Sequence, residues 1–297
     1  MYSSPIGIII CKIVLFFQFI VIFSIIPNVD KVSAAPPSDY QLTFSEEFDS
    51  PTLNYSKWST SYKLGKLCMA TATDNALKFA NGMISIELDK TGPATYSSGT
   101  LATHGRSTPQ SGQQPATIFS QKYGWFEMRF KAPQGSAIHS AFWLVPENQS
   151  YQKLVSDGGT RQSTNEAMEI DIFEQLGLYP HNIMVTVHYG ASYADNQHLS
   201  ESIEYKNPDI DFSNNFHVIA LEWLPDLLIW YLDGNEIFRS DKAPQSPFYI
   251  YANLYYGCGW TGSIDPEMLF PKHFDIDYIR VYKKVPALAV PASDPFL

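Results

Sequence analysis

Polar and apolar positions alternate in short runs along most of this chain, and helical spacing is scarce. Met83-Ile84-Ser85-Ile86-Glu87-Leu88 and Trp125-Phe126-Glu127-Met128-Arg129-Phe130-Lys131 alternate, as do Ile183-Met184-Val185-Thr186-Val187-His188 and Leu228-Ile229-Trp230-Tyr231-Leu232. A period of two marks a half-buried strand, because successive side chains leave a pleated backbone on opposite faces. Leu228–Leu232 ends in Asp233-Gly234 before Ile237-Phe238, and Asp-Gly between apolar runs is a strong hairpin signal. The last such run, Phe274-Asp275-Ile276-Asp277-Tyr278-Ile279-Arg280-Val281-Tyr282, places Phe274, Ile276, Tyr278 and Tyr282 at even positions and so predicts one face for them. Many short strands separated by turn residues predict an all-β sandwich or barrel.

The two ends read differently. Ile13 to Ile26 is apolar except for Gln18 and Ser24, follows Lys12 and stops at Pro27. Val32-Ser33-Ala34 then offers the small residues of a signal-peptidase site, so residues 1–34 are expected to be a signal peptide. A single membrane anchor is the alternative for Ile8 to Ile26, but the Ala-x-Ala-like site followed by Ala35-Pro36-Pro37 favours cleavage. Export follows, to the extracellular space or to a bacterial periplasm, with no membrane attachment afterwards. Val285 onward carries Pro286, Pro291 and Pro295 beyond the last strand, so 285–297 is expected to be a tail. Between the ends, 38–284 is expected to be one domain, a size that all-β sandwiches routinely reach. No internal repeat or interior linker breaks it, and the polar stretch Ser107 to Gln114 is expected to be a loop.

The net charge is −10 and no basic cluster stands out, which argues against a nucleic-acid partner. Aromatic residues make up 14% of the chain, which suits strands and also a cleft that stacks sugar rings. Once Cys11 leaves with the signal, Cys68 and Cys258 remain, either as one disulfide or as two buried thiols. Asn54-Tyr55-Ser56 and Asn148-Gln149-Ser150 are glycosylation sequons that matter only in a host that glycosylates. His-Glu-x-x-His, Gly-x-Ser-x-Gly and phosphate-cradling glycine loops are all absent.

The candidate chemistry lies in Glu169-Ile170-Asp171-Ile172-Phe173-Glu174. On a strand Glu169 and Asp171 share one face while Ile170 and Ile172 share the other, and strict alternation sends Glu174 across. One inserted residue, a β-bulge, would return Glu174 to the face of the other two acids. The two glutamates then stand roughly 13 Å apart along the backbone, and inward-leaning side chains close much of that distance. A retaining glycosidase needs its carboxyl groups about 5–5.5 Å apart, with Asp171 between them to help keep their ionisation states distinct. Such an acidic run is more often a solvated strand face. Ile170, Ile172 and Phe173 point instead to a strand packed on a core.

Glu-x-Asp-x-x-Glu in this apolar setting resembles the signature of family 16 glycoside hydrolases, in the bulged form typical of laminarinases. The resemblance runs from about Phe44 to Tyr282. It takes in Phe44-Ser45-Glu46-Glu47-Phe48-Asp49, Lys57-Trp58, Asn81-Gly82-Met83-Ile84, Tyr96-Ser97-Ser98-Gly99 and Tyr123-Gly124-Trp125-Phe126-Glu127-Met128-Arg129. Ala141-Phe142-Trp143-Leu144 precedes the acids, and Val187-His188-Tyr189-Gly190, Phe216-His217, Glu222-Trp223, Trp230-Tyr231, Asp233-Gly234, Asn253-Leu254 and Trp260 follow in family order. The resemblance implies a curved jelly-roll β-sandwich with a concave substrate cleft. It implies Glu169 as nucleophile, Asp171 as its assistant and Glu174 as acid/base, with no cofactor for catalysis. Trp143, Trp260, Asn253 and Trp125 match positions associated with substrate. His188 matches a cleft-lining position, to bond Glu174 or a sugar hydroxyl, unless it is a satisfied core histidine. A structural calcium on the convex side is implied at Asp277, with backbone oxygens of Glu46 and Gly82.

The activity so implied is a secreted, monomeric, retaining endo-β-glucanase for β-1,3- or mixed β-1,3/1,4-glucan. Alternatives are a glycanase for a bacterial exopolysaccharide or a galactan, a transglycosylase, or a non-catalytic glucan-binding protein. Relatives of the last kind usually lack one acid, and this chain keeps all three. One departure stands out: many laminarinases carry Trp-Pro before Ala-Phe-Trp, and this chain has His139-Ser140. A stacking surface is therefore expected to be missing there.

Overall fold

The computed structural model describes residues 36–60, 66–105, 117–147, 167–190 and 198–285, all within one compact unit, Val32–Leu297. The expected signal segment 1–34, the loop Ser107 to Gln114, the sequon at Asn148 and the tail beyond Val285 lie outside the described residues. No helix among the described residues is long and apolar enough to cross a membrane.

In chain order the first strands are β1 (Tyr40–Glu46), β2 (Lys66–Leu67), β3 (Ala70–Ala72), β4 (Leu77–Ala80), β5 (Met83–Gly92), β6 (Thr95–Ser98) and β7 (Thr100–Ala102). There follow β8 (Gly124–Lys131), β9 (Ile138–Pro146), β10 (Ala167–Leu176), β11 (Asn182–Gly190) and β12 (His198–Lys206). The set closes with β13 (His217–Trp223), β14 (Leu228–Leu232), β15 (Asn235–Ser240), β16 (Phe248–Tyr256) and β17 (Lys272–Lys284). A 3₁₀ turn, Asp74–Ala76, is the one helical element among the described residues. The first sheet runs β15-β14-β13-β8-β17-β5-β6-β3-β2, with β1 also on β17 and β4 also on β5. The second runs β12-β11-β10-β9-β16-β7, and neither sheet closes on itself. This is the expected all-β jelly-roll sandwich.

Strand alternation explains how the sheets bind. In β9, Ile138, Phe142 and Leu144 enter the main core, while Ala141, Trp143 and Val145 form a separate cluster with Tyr249 and Tyr251 of β16. One face of the second sheet therefore meets the first sheet, and the other carries its own aromatic lining. The sheets lock through aromatic contacts such as Phe130 on Phe173, stacked 4.1 Å apart. Phe173 is fully buried, and truncating such a residue to Ala costs about 3–5 kcal/mol.

The predicted hairpin is present, with Asp233 (φ 48°) and Gly234 (φ 82°) between β14 and β15. Such a turn needs positive φ at both central residues. The prediction for the last strand needs correcting. Phe274 and Ile276 point inward, but pairing slips between Ile276 and Tyr278, and Ile279 and Val281 then fill the core. A bulge reverses the parity, so Tyr282 packs on the outer cluster instead.

Candidate active site

On β10 the pairing with β9 runs Ile170–Leu144, Asp171–Trp143, then Phe173–Phe142 and Glu174–Ala141, passing over Ile172. The pairing with β11 jumps in the same place, from Asp171–Thr186 to Glu174–Met184. Ile172 and Phe173, adjacent in sequence, both enter the core. That is a bulge, and two consecutive inward apolar residues are its cause: burying both forces one extra residue into the strand. Glu169, Asp171 and Glu174 consequently line one cleft of about 280 Å³.

Asp171 is buried, whereas Glu169 and Glu174 are partly exposed. Burial first, and the neighbouring Glu174 charge second, raise the Asp171 pKa well above the usual carboxylate range. Its backbone is fixed from the core side, where Trp230 donates its indole N–H to the Asp171 carbonyl at 3.1 Å. A carboxylate oxygen of Glu169, one of Asp171 and a His188 ring nitrogen lie within 4.8 Å of one another.

Trp143 and Asn253 are joined in the cleft wall, the indole N–H donating to Asn253 Oδ1 at 2.8 Å. The Asn253 amide nitrogen has no hydrogen-bond partner among the described residues. Trp260 also lines the cleft and is 54% exposed, leaving a ring face open at the rim. Two expectations change. Trp125 is on β8 of the other sheet, packed with Val218 and Ala220 and donating to Glu127 at 2.9 Å, so it does not line the cleft. Its position in the strand gives it the outward parity of that sheet. His188 sits across from Glu169 on β11 but reaches Asp171, Nε2 to Oδ2 at 3.1 Å, not Glu174. Its Nδ1 lies 2.9 Å from His198 Nε2, and burial, then His188 itself, lowers the His198 pKa.

The neighbour of Glu174 is His139, with Nε2 3.1 Å from Oε1. Sequence reasoning registered His139 only as a lost stacking surface. The signal that could have found it is its parity: two and four residues before Ala141 and Trp143, it shares their face of β9. Cys68 and Cys258 are bridged with Cα atoms 5.1 Å apart, and both line the same cleft. The disulfide, left open by the sequence, ties the wall before Trp260 to an early turn.

The expected calcium ligands lie at one junction of the first sheet. β17 pairs with β5 up to Ile276–Ile84 and with β1 at Ile279–Glu46, while Asn81 and Gly82 form the turn into β5. Asp277 falls where the partner changes. A Cβ at Gly82 would meet Asp49 Oδ1 at 3.2 Å, which adds an acidic oxygen to the neighbourhood. Oxygen donors of this kind suit calcium. Asp277 also pairs with Arg129, Oδ2 to Nη1 at 2.8 Å, through one of its two carboxylate oxygens.

Comparison with known families agrees with this geometry. The model for glycosyl hydrolases family 16 matches residues 65–280. The chain belongs to that family. It is 27% identical to glucan endo-1,3-beta-glucosidase A1 of Niallia circulans over 87% of its own length, though it spans only 41% of that protein. It is 28% identical to a beta-glucanase of Rhodothermus marinus, covering 86% of this chain and 89% of that one. Among solved structures, the laminarinase catalytic domain of Thermotoga maritima superposes with a TM-score of 0.66 at 29% identity, over 84% of this chain and all (100%) of that one.

Proposed function

We propose that this family 16 member is an exported, monomeric, retaining endo-β-glucanase that hydrolyses β-1,3- or mixed β-1,3/1,4-glucan. The observation that carries the reading is the bulge at Ile172, which gathers Glu169, Asp171 and Glu174 in one cleft. The activities of the relatives, glucan endo-1,3-beta-glucosidase and beta-glucanase, favour β-glucan as substrate. The N-terminal apolar run and the disulfide favour an oxidising compartment outside the cytoplasm.

In this reading Glu169 attacks the anomeric carbon while Glu174 gives its proton to the departing glycosidic oxygen. Asp171, whose pKa burial raises, stands beside Glu169 and would steady its carboxylate when it is expelled. Glu174, now ionised, takes a proton from water, which attacks the glycosyl-enzyme and releases the sugar. Trp143, held by Asn253, floors the sugar over the acids, and Trp260 on the rim stacks a more distant unit. A calcium at Glu46, Gly82 and Asp277 would stabilise the first sheet and take no part in these steps.

Proton NMR of the anomeric region in the first minutes of laminarin digestion tests the mechanism. Two inversions leave the β-anomer as first product. An initial α-anomer would mean that the roles given to Glu169 and Glu174 are wrong.

A further inference from the structure

Trp260 is the most exposed aromatic side chain of the cleft, and its own packing does little to hold it. The ring meets His139 edge-on, with centroids 4.5 Å apart, and is otherwise open to solvent. Its backbone is loose by composition. Gly257, Gly259 and Gly262 surround it, Gly257 (φ 68°) and Gly262 (φ 94°) in the left-handed region. A Cβ at Gly259 would meet nothing within 4 Å, so nothing presses on the turn there. Glycine has more backbone freedom to lose than any other residue, so such a segment presents a ring in one orientation only when tied down elsewhere.

The segment is tied from two sides. Towards β9, Gly257 donates its N–H to the Ala137 carbonyl at 2.8 Å. The Thr261 hydroxyl lies between the Cys258 and Ala137 carbonyls, at 2.7 and 3.3 Å. Towards β2 and β3 the tie is covalent. Cys68, in the turn between those strands, is bridged to Cys258, and Met69 beside it donates its N–H to the Tyr256 carbonyl at 2.9 Å. Cys68 adopts φ 59°, a conformation uncommon for a residue with a Cβ, and its side chain reaches the cleft wall. Cys258 is the first residue of the turn that carries Trp260, closed by the Thr261 N–H on the Cys258 carbonyl at 2.9 Å. The bridge therefore fastens the base of that turn to the opposite strand pair.

We propose that the Cys68–Cys258 bridge is a positioning element for polymer binding: it fixes the turn of Trp260, so that the oxidised protein presents the ring to the glucan and the reduced protein does not. The inference rests on the β-glucanase reading and adds a redox condition to it. The bridge acts through Trp260 and not through the acids, so it governs the hold on the polymer and leaves the bond-breaking step alone. Cys68 is exposed, which gives a thiol reductant access to the bridge in the folded protein.

Steady-state kinetics on laminarin separate this role from simple stabilisation, because a loss of folded protein lowers the rate at every substrate concentration and leaves KM alone. Replacing Cys68 and Cys258 together by Ser is expected to raise KM about fivefold, the scale of one weakened aromatic contact, with kcat per folded molecule within about twofold. Wild-type protein reduced by a dithiol is expected to show the same rise, and it keeps the proposal testable if the serine variant does not fold. The dithiol converts the bridge to two thiols and is itself oxidised to a cyclic disulfide, and thiol titration of the folded protein confirms the reduction. Trp260→Ala should raise KM at least as much, and removing the bridge in that background should raise it no further. An unchanged KM in the bridge-free protein overturns the proposal. So does a second, equal rise on removing the bridge from Trp260→Ala, because the effect would then not run through that ring. Oxidised wild type that releases no reducing ends from laminarin overturns the glucanase reading, a separate result; retardation by laminarin in affinity gels then reads the same comparison without turnover.

Discussion

Glu127→Gln is expected to stabilise this protein at pH 8 and to leave its stability nearly unchanged at pH 4.5. Glu127 is fully buried on β8, accepts from the Trp125 indole at 2.9 Å and sits 4.0 Å from Arg280. One of its carboxylate oxygens has no hydrogen-bond partner among the described residues. Burial dominates these favourable contacts and pushes its pKa up from 4.5 to about 7. Below pH 4.5 folded and unfolded chains both hold the proton, and the buried acid carries no charge penalty. Between pH 4.5 and 7 the unfolded chain loses the proton while the folded one keeps it. Stability then falls by about 1.4 kcal/mol per pH unit, on the order of 3 kcal/mol in all. Above pH 7 the full penalty persists. Glutamine has the same shape, keeps an oxygen for Trp125 and never ionises. For a domain of this size the gain at pH 8 corresponds to roughly 6–12 °C in melting temperature. Thermal melts of both proteins across pH 4.5–8 measure it. A difference that stays flat with pH would refute the claim that Glu127 pays for its burial.

Glu169→Gln should fold normally, bind laminarin and lose several orders of magnitude in turnover, because no neighbouring group can replace the nucleophile; a variant keeping a tenth of the wild-type rate would defeat the assignment. Replacing Cys68 and Cys258 together by Ser releases a 190-residue cross-link, for which chain entropy sets a ceiling of roughly 5 kcal/mol. Denaturant unfolding should show a loss of stability below that ceiling, and peptide mapping without reduction should find the two cysteines joined. Chelation is expected to lower the melting temperature while the rate per folded molecule is unchanged, and Asp277→Ala should abolish that sensitivity; a loss of rate without a loss of stability would place the ion in the cleft.

Period-two patterning made the strands at 83–88, 125–131, 183–188 and 228–232 legible, because each places a continuous apolar face against the core. The turn at Asp233-Gly234 was legible for a local reason, the positive φ its two residues adopt. What sequence pattern could not show is which strands are neighbours. β8 and β17 pair across about 150 residues, and β3 runs parallel to β6 while its other partner is antiparallel. Trp125, which the family resemblance put at the substrate, illustrates the point. Its side-chain parity was readable, but not which sheet β8 joins, and only the sheet decides whether an outward residue meets the cleft.

The acids show the opposite case. Burying Ile172 and Phe173 together is a local demand of the sequence, and it alone moves Glu174 onto the face of Glu169 and Asp171. His139 needed two further facts, that β9 is the neighbour of β10 and that their register places it one step past Glu174. Neither is written in the residues around it. A histidine on an apolar strand gives no hint of its partner, because a packed core histidine and a cleft histidine share the same local pattern. The distinguishing property is that its Nε2 lies 3.1 Å from Glu174, and this belongs to the assembled sheet. The place of His139 in this cleft therefore rests on a long-range pairing, while the grouping of the three acids rests on a short-range one. Substitutions at Ile172 or Phe173 should disturb the grouping of all three acids, whereas substitutions at His139 should act on its one neighbour among them, Glu174.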